Sequence, residues 1–335
     1  MKRLFILAAA TVALASCAKT QVVYNEEPQE IAFRQVENVM TKGGAGTSLG
    51  NWKDGSMGVF AYKDNTVYFE NAKFAKPADK DYWAGSDGKS YYWPFQGSLA
   101  FYVYAPHDES FTCDRVNNKI KRNAFTNSDY VLENPYSGTV KYNYNCPDLM
   151  YGSTIITSEK TDNAVDVSLK HALALVKVNA EATTGSVVKI QSMKLTSTPR
   201  SANLAVAYTD ATPYTGTAGW DNYSGTLDLT IVGTESSVTN SSIQLGNEVL
   251  VIPGEAQTSF SIEYKLANSD AVFTATLPLS NGTTPTWDPG KKYVYNISFD
   301  LKEIKFTPEV VEWGEGNVNE SSNGGVSVAQ YPTQP

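Results

Sequence analysis

Leu99-Ala100-Phe101-Tyr102-Val103-Tyr104-Ala105-Pro106 decides the fold class of this chain. Leu99, Phe101 and Val103 alternate with Ala100, Tyr102 and Tyr104, the two-residue period of a strand with two distinct faces. Ala105-Pro106-His107-Asp108 ends it, because proline cannot donate to a ladder. Upstream, Ile31 and Phe33 share one face of a candidate strand over 30–36, and further candidates run over 57–62, 66–69 and 90–94. Downstream, Val165, Val167 and Leu169 alternate, and Ala172 to Val178 is almost continuously apolar, as in a strand buried on both faces. The same grammar recurs at 187–195, 204–208, 225–231, 248–252, 259–266, 271–277 and 292–301, between turns rich in Gly, Pro, Asn, Asp and Ser. Between 108 and 145 the chain is polar with weak periodicity and reads as long loops.

The composition agrees with sheet. The 20 Tyr, 13 Phe and 6 Trp suit a pleated, half-buried surface. The expected class is all-β, built as β-sandwiches. A length of 335 residues exceeds what one core usually organises, so two domains of about 100 to 200 residues are expected. The formal net charge of −8 argues against a nucleic-acid or anionic-membrane surface, both of which call for a basic patch.

The first seventeen residues read as an export signal. Lys2 and Arg3 are its positive start, and Leu4 to Leu14 carries no charge and is too short to span a bilayer. Leu14-Ala15-Ser16-Cys17 then brings small residues up to a cysteine whose thiol would be acylated before cleavage. Cys17 is thus the expected lipidation site, tethering the chain to a membrane outside the cytoplasm through about 0.8 kcal/mol per buried methylene. The expected division is a signal over 1–17, a polar tether and N-terminal domain over 18–163, a C-terminal domain over 164–316 and a flexible tail over 317–335.

No constellation for catalysis stands out. His171 reads as a structural residue with a satisfied ring, and His107 beside Asp108 and Glu109 has too few neighbours for a zinc site. Gly43-Gly44-Ala45-Gly46 lacks the Gly-Lys-Ser/Thr ending of a phosphate loop, and no serine sits in a Gly-x-Ser-x-Gly elbow. No metal, cofactor or enzymatic role is assigned. Cys113 and Cys146 either pair as a disulfide or serve as two small buried hydrophobes. Tyr130, Tyr136, Tyr142, Tyr144 and Tyr151, with Trp83, Tyr91, Tyr92 and Trp93, either stack on sugar rings or anchor a protein partner if exposed, or fill a sandwich core if buried.

Several of these motifs occur in a fixed order. After Cys17 come Ile31-Ala32-Phe33, Thr41-Lys42-Gly43 and Tyr92-Trp93-Pro94 leading into Leu99 to Pro106. Ser168-Leu169-Lys170-His171 running on to Val178, then Tyr293-Val294-Tyr295-Asn296-Ile297, Ile304-Lys305-Phe306 and Glu312-Trp313 complete the series. In this the chain resembles the fimbrillin family, the type V pilins and pilus-like adhesins of Gram-negative gut and oral bacteria. The resemblance implies two transthyretin-like β-sandwich domains in tandem and a structural, adhesive subunit of cell-surface fimbriae, exported as a lipoprotein. It further implies assembly with other pilin subunits by donor-strand exchange, in which an arginine- or lysine-specific protease removes the first strand and another subunit's C-terminal strand fills the groove.

Carried onto this sequence, the removable strand is Ile31, Phe33 and Val36. The cut falls at Lys42, in a glycine-flanked segment, or at Arg34, inside the predicted strand; Lys42 is preferred, and a permanent first strand is the alternative. The donor strand is Ile304, Phe306, Val310 and Val311, interrupted by Pro308. Expected partners are other pilin subunits, the outer membrane through Cys17, and a host protein or glycan receptor, with no nucleic acid. The alternative function is a lipid-anchored glycan-binding surface protein of a nutrient-uptake system.

Overall fold

The computed structural model describes residues 27–35, 55–127, 132–133, 140–141, 148–183, 187–209, 215–255, 258–267, 269–279, 286–300, 303–312 and 327–330. Every regular element among them is a strand, as the alternation predicts. No helix there is long and apolar enough to cross a membrane.

Three sheets carry the molecule. The first has nine strands, in the order Val165–Val167, Ala32–Gln35, Trp83–Gly85, Thr66–Ala75, Ser56–Lys63, Leu99–Ala105, Met150–Gly152 and Leu169–His171, with Ile156–Ser158 also on Leu99–Ala105. The second runs Ile243–Gln244, Ala174–Ala182, Lys291–Phe299, Glu303–Glu312 and Ser327–Gln330, with Val249–Val251 also on Ala174–Ala182. The third runs Phe273–Pro278, Ser259–Leu266, Val188–Tyr208, Lys119–Thr126 and Phe111–Asp114, with Gly216–Val232 and Ser236–Val238 also paired to Val188–Tyr208.

Leu99–Ala105 behaves as its alternation requires, and both of its faces are buried. Leu99, Phe101 and Val103 enter an aromatic core with Phe33, Phe74 and Trp93, while Tyr102 and Tyr104 point the other way. Those two tyrosines join a second core, where Phe60 and Tyr62 meet Leu204, Val206 and Tyr208 together with Leu173, Leu175, Leu250 and Ile252. A third core lies between the second and third sheets around Val176, Val178, Ile190, Phe260, Tyr264 and Phe299. The middle core therefore draws on both halves of the chain.

One ribbon joins the middle and third cores. Val188–Tyr208 is 21 residues long and pairs with the 17-residue Gly216–Val232. At about 3.3 Å per residue the longer strand covers roughly 70 Å. Its start, with Ile190 and Leu195, packs in the third core, and its end, with Leu204 and Val206, packs in the middle core. Register shifts between Leu195 and Thr198 and between Ser201 and Asn203 let it change partners.

Two expectations are revised. The 108–145 segment is not all loop, because Phe111–Asp114 and Lys119–Thr126 form a hairpin that joins the third sheet against Val188–Tyr208. Phe111, Ile120 and Phe125 are buried, but Ala124 sits at φ 50° in a bulge that breaks the alternation. Trp83–Gly85 is a strand too short to show a period in sequence, whereas the expected strand over 90–94 is reduced to an isolated bridge of Tyr92 with Glu30. The strands Val165–Val167 and Leu169–His171 belong to the first sheet, and Ala174–Ala182 begins the second.

Candidate functional site

Residues 29–35 thread through the first sheet as a strand paired on both sides. On one side Trp93 N donates to the Gln29 carbonyl at 2.9 Å, Ile31 N donates to the Tyr91 carbonyl at 2.7 Å, and Ala32 and Phe33 pair antiparallel with Ala84 and Trp83. On the other side Phe33, Arg34 and Gln35 run parallel to Val165, Asp166 and Val167. The Gln29 side-chain amide also donates to the Thr161 carbonyl.

The side chains explain why this segment holds. Ile31 and Phe33, two residues apart, share one face and are buried at 1% and 0% exposure. The Phe33 ring stands edge-on to Phe74 at 5.0 Å and to Phe101 at 5.1 Å. Burying two such side chains contributes roughly 3 to 6 kcal/mol before ordering costs, and edge-to-face rings add about 0.5 to 1.5 kcal/mol each. Arg34 faces outward and places Nε and Nη2 at 3.0 and 2.8 Å from Asp166 Oδ1. Both partners are half exposed, so this pair adds at most about 1 kcal/mol.

Topology gives the strand its importance. Val165–Val167 and Leu169–His171 stand at opposite ends of the sheet order, yet only Ser168 separates them in sequence. The sheet therefore curls until its two ends meet, and Ala32–Gln35 is the member that closes the gap between Val165–Val167 and Trp83–Gly85. Taking it out would uncover two strand edges and an aromatic pocket together.

The remaining candidate residues divide as follows. Arg34 lies in the parallel ladder opposite Asp166; Cys17, Val36 and Lys42 fall outside the described residues. The donor candidate Glu303–Glu312 pairs along its length with Lys291–Phe299 and on its far side with Ser327–Gln330. Ile304 is buried and Val310 half-buried against the third core, and Phe306 and Val311 stand opposite Ile297 and Lys292 in the register. The sequence reading missed one signal: Glu303-Ile304-Lys305-Phe306 repeats Glu30-Ile31-Ala32-Phe33 in type and order at three of its four positions.

Of the aromatic set, Trp83, Trp93 and Tyr151 are buried in the cores, and Tyr91 packs on Phe69 and Phe74 at 4.6 and 5.3 Å. Tyr92 is exposed. Tyr130, Tyr136, Tyr142 and Tyr144 fall outside the described residues. His171 is buried with Nδ1 2.9 Å from Asp148 Oδ1, and His107 Nε2 lies 3.2 Å from the Asn71 carbonyl. Among the described residues no three His, Cys, Asp or Glu side chains come together as a metal site would need. Burial pushes the Cys113 thiol up to about 11, against the Tyr62 hydroxyl; Cys146 falls outside the described residues.

A family model described as fimbrillin-like matches residues 45–313. Among solved structures, a candidate cell adhesion protein from Bacteroides ovatus is similar at a TM-score of 0.52 and 14% identity, over 86% of this chain and 98% of its own. A second candidate cell adhesion protein, from Bacteroides uniformis, matches at a TM-score of 0.48 and 15% identity, over 85% of this chain and 99% of its own. The tip fimbrial protein Mfa3 from Porphyromonas gingivalis, truncated at its C-terminus, matches at a TM-score of 0.40 and 12% identity, over 85% and 99%. No curated protein matches the chain.

Proposed function

The chain belongs to the fimbrillin-like family, and from that premise we propose that it is a structural and adhesive subunit of cell-surface fimbriae, assembled by exchange of its first strand. The observation that carries this reading is the closing position of Ala32–Gln35 between Trp83–Gly85 and Val165–Val167. Two tandem transthyretin-like units, export as a lipoprotein through Cys17 and residence at the outer membrane complete the reading.

Cleavage is assigned to Lys42. A protease needs several extended, unpaired residues around the scissile bond, and Arg34 is held in the ladder with Asp166, directly after Phe33, which is paired on both sides. Once residues up to 42 leave, a donor strand from another subunit would fill the slot by β-augmentation, with main-chain bonds on two edges and Ile and Phe in the vacated pockets. Glu303-Ile304-Lys305-Phe306 supplies the same pair of side chains two residues apart. In the free subunit this segment rests on its own second sheet, so transfer exchanges one ladder for another. Mass action at high subunit density then favours the polymer.

The test uses the chain from residue 18 onward, incubated with a lysine- and arginine-specific protease. A ladder of polymers whose subunits begin at Gly43 is expected. A chain cut at Lys42 that stays monomeric under the same conditions would remove strand exchange from this reading.

A further inference from the structure

We propose that the apolar patch of Val67, Tyr68, Tyr92 and Phe95 is the surface on which a second copy of this chain docks, through the end of its C-terminal sandwich that bears Leu266 and Val272. The proposal rests on strand exchange and adds a contact between the bodies of the two subunits.

Polarity sets the arrangement. A donor that places Ile304 and Phe306 in the pockets of Ile31 and Phe33 runs in the same direction as the strand it replaces, because the Glu-Ile-x-Phe order is shared. Its Glu303 then stands where Glu30 bridges to Tyr92. In the free subunit Lys291–Phe299 and Glu303–Glu312 are the arms of a hairpin, with Phe299 opposite Ile304. Opening that hairpin leaves only residues 300–302 between the donor's body and the slot, a reach of about 10 Å. The two bodies must therefore abut at the slot's mouth.

Apolar side chains stand on both sides of that contact. At the acceptor's mouth the Tyr68 hydroxyl donates to the Tyr92 carbonyl at 2.9 Å, and the side chain of Lys63, at the root of the Lys63–Thr66 turn, lies against Gly97, just past Phe95. Val67, Tyr68, Tyr92 and Phe95 are between 39% and 59% exposed. On the donor, Ala182 pairs with Phe299 and Val188 pairs with Leu266, so these residues share the end from which the donor strand departs. Leu266 is 38% exposed there, and Val272 is 57% exposed just before Phe273, which pairs with Tyr264. The two surfaces are different patches of one chain. Their union is heterologous and leaves a free patch at each end, which builds an open filament rather than a closed dimer.

The test compares polymer yield with binding of a peptide of residues 303–312, using the chain from residue 18 after cleavage. Tyr68→Ser with Tyr92→Ser, and separately Leu266→Ser with Val272→Ser, are each expected to lower polymer yield about tenfold, while the Leu266→Ser with Val272→Ser pair, on the donor end and away from the slot, holds peptide affinity within about twofold. Val67→Ser with Phe95→Ser probes the same patch without touching the Tyr68 bond, and should act in the same direction. Peptide bound normally with undiminished polymer in all three variants would overturn the docking surface and leave strand exchange standing. Failure of the cut, unsubstituted chain to bind the peptide would overturn strand exchange, and the docking surface with it.

Discussion

Phe33 is the residue on which the first strand's hold depends most. Its ring is fully buried between Phe74 and Phe101, so Phe33→Ala leaves a cavity and is expected to cost about 3 to 5 kcal/mol in urea unfolding of the uncut chain. Arg34→Ala, one residue along, removes only a half-exposed ion pair and should cost less than about 1 kcal/mol. Gly58 is constrained for another reason. A Cβ there would come within 2.1 Å of the Tyr104 ring, which lies across the neighbouring strand, so Gly58→Ala should force Tyr104 out of place and lower the midpoint of unfolding. Asp108 gives the acid side of the stability profile. Burial pushes its carboxyl up, but the Ser110 backbone N–H and the Arg122 guanidinium, 2.6 Å away, outweigh that and hold it below the ordinary range. A depressed carboxyl contributes stability that is present above the unfolded value of about 3.9 and is lost as pH falls through the folded value. Arg122→Met should therefore flatten the loss of stability below about pH 4, measured by urea unfolding across pH.

At the scale of elements, the strand Ala32–Gln35 and the segment after it should respond oppositely to protease. Limited digestion of the chain from residue 18, followed by N-terminal sequencing, is expected to yield a start at Gly43 and no early start at Gln35. Much of the element plan was legible beforehand for a simple reason. Where a strand alternates without interruption, as over Leu99 to Tyr104, side-chain period alone reveals it. Ile31 and Phe33 were legible in the same way, as a short face ahead of a glycine-rich stretch. The hairpin from Phe111 to Thr126 was hidden because the bulge at Ala124 shifts the pattern by a residue. Trp83–Gly85 was hidden because three residues carry no period. What no local pattern contains is sheet membership: Val165, Val167 and Leu169 read as a strand, but their partners lie more than a hundred residues upstream in Ala32–Gln35 and next to Met150–Gly152. The closing role of the first strand is a property of that pairing, and became visible only with the topology.

At the scale of the whole molecule, the middle core and the long ribbon tie the two halves together. Lys119–Thr126 from the first half pairs with Val188–Tyr208 from the second, and Tyr102 and Tyr208 meet edge-on at 5.3 Å between them. Calorimetry is therefore expected to show one cooperative transition, and Leu204→Ala, costing about 2 to 5 kcal/mol, should shift that transition as a whole. Two separate transitions, only one of them moved, would contradict the coupling. The most direct measurement is native mass spectrometry of the chain from residue 18 after cleavage at Lys42. The fragment ending at Lys42 is expected to depart, and multiples of the remaining mass to appear. A nicked chain that keeps its fragment bound and stays a single subunit would contradict it.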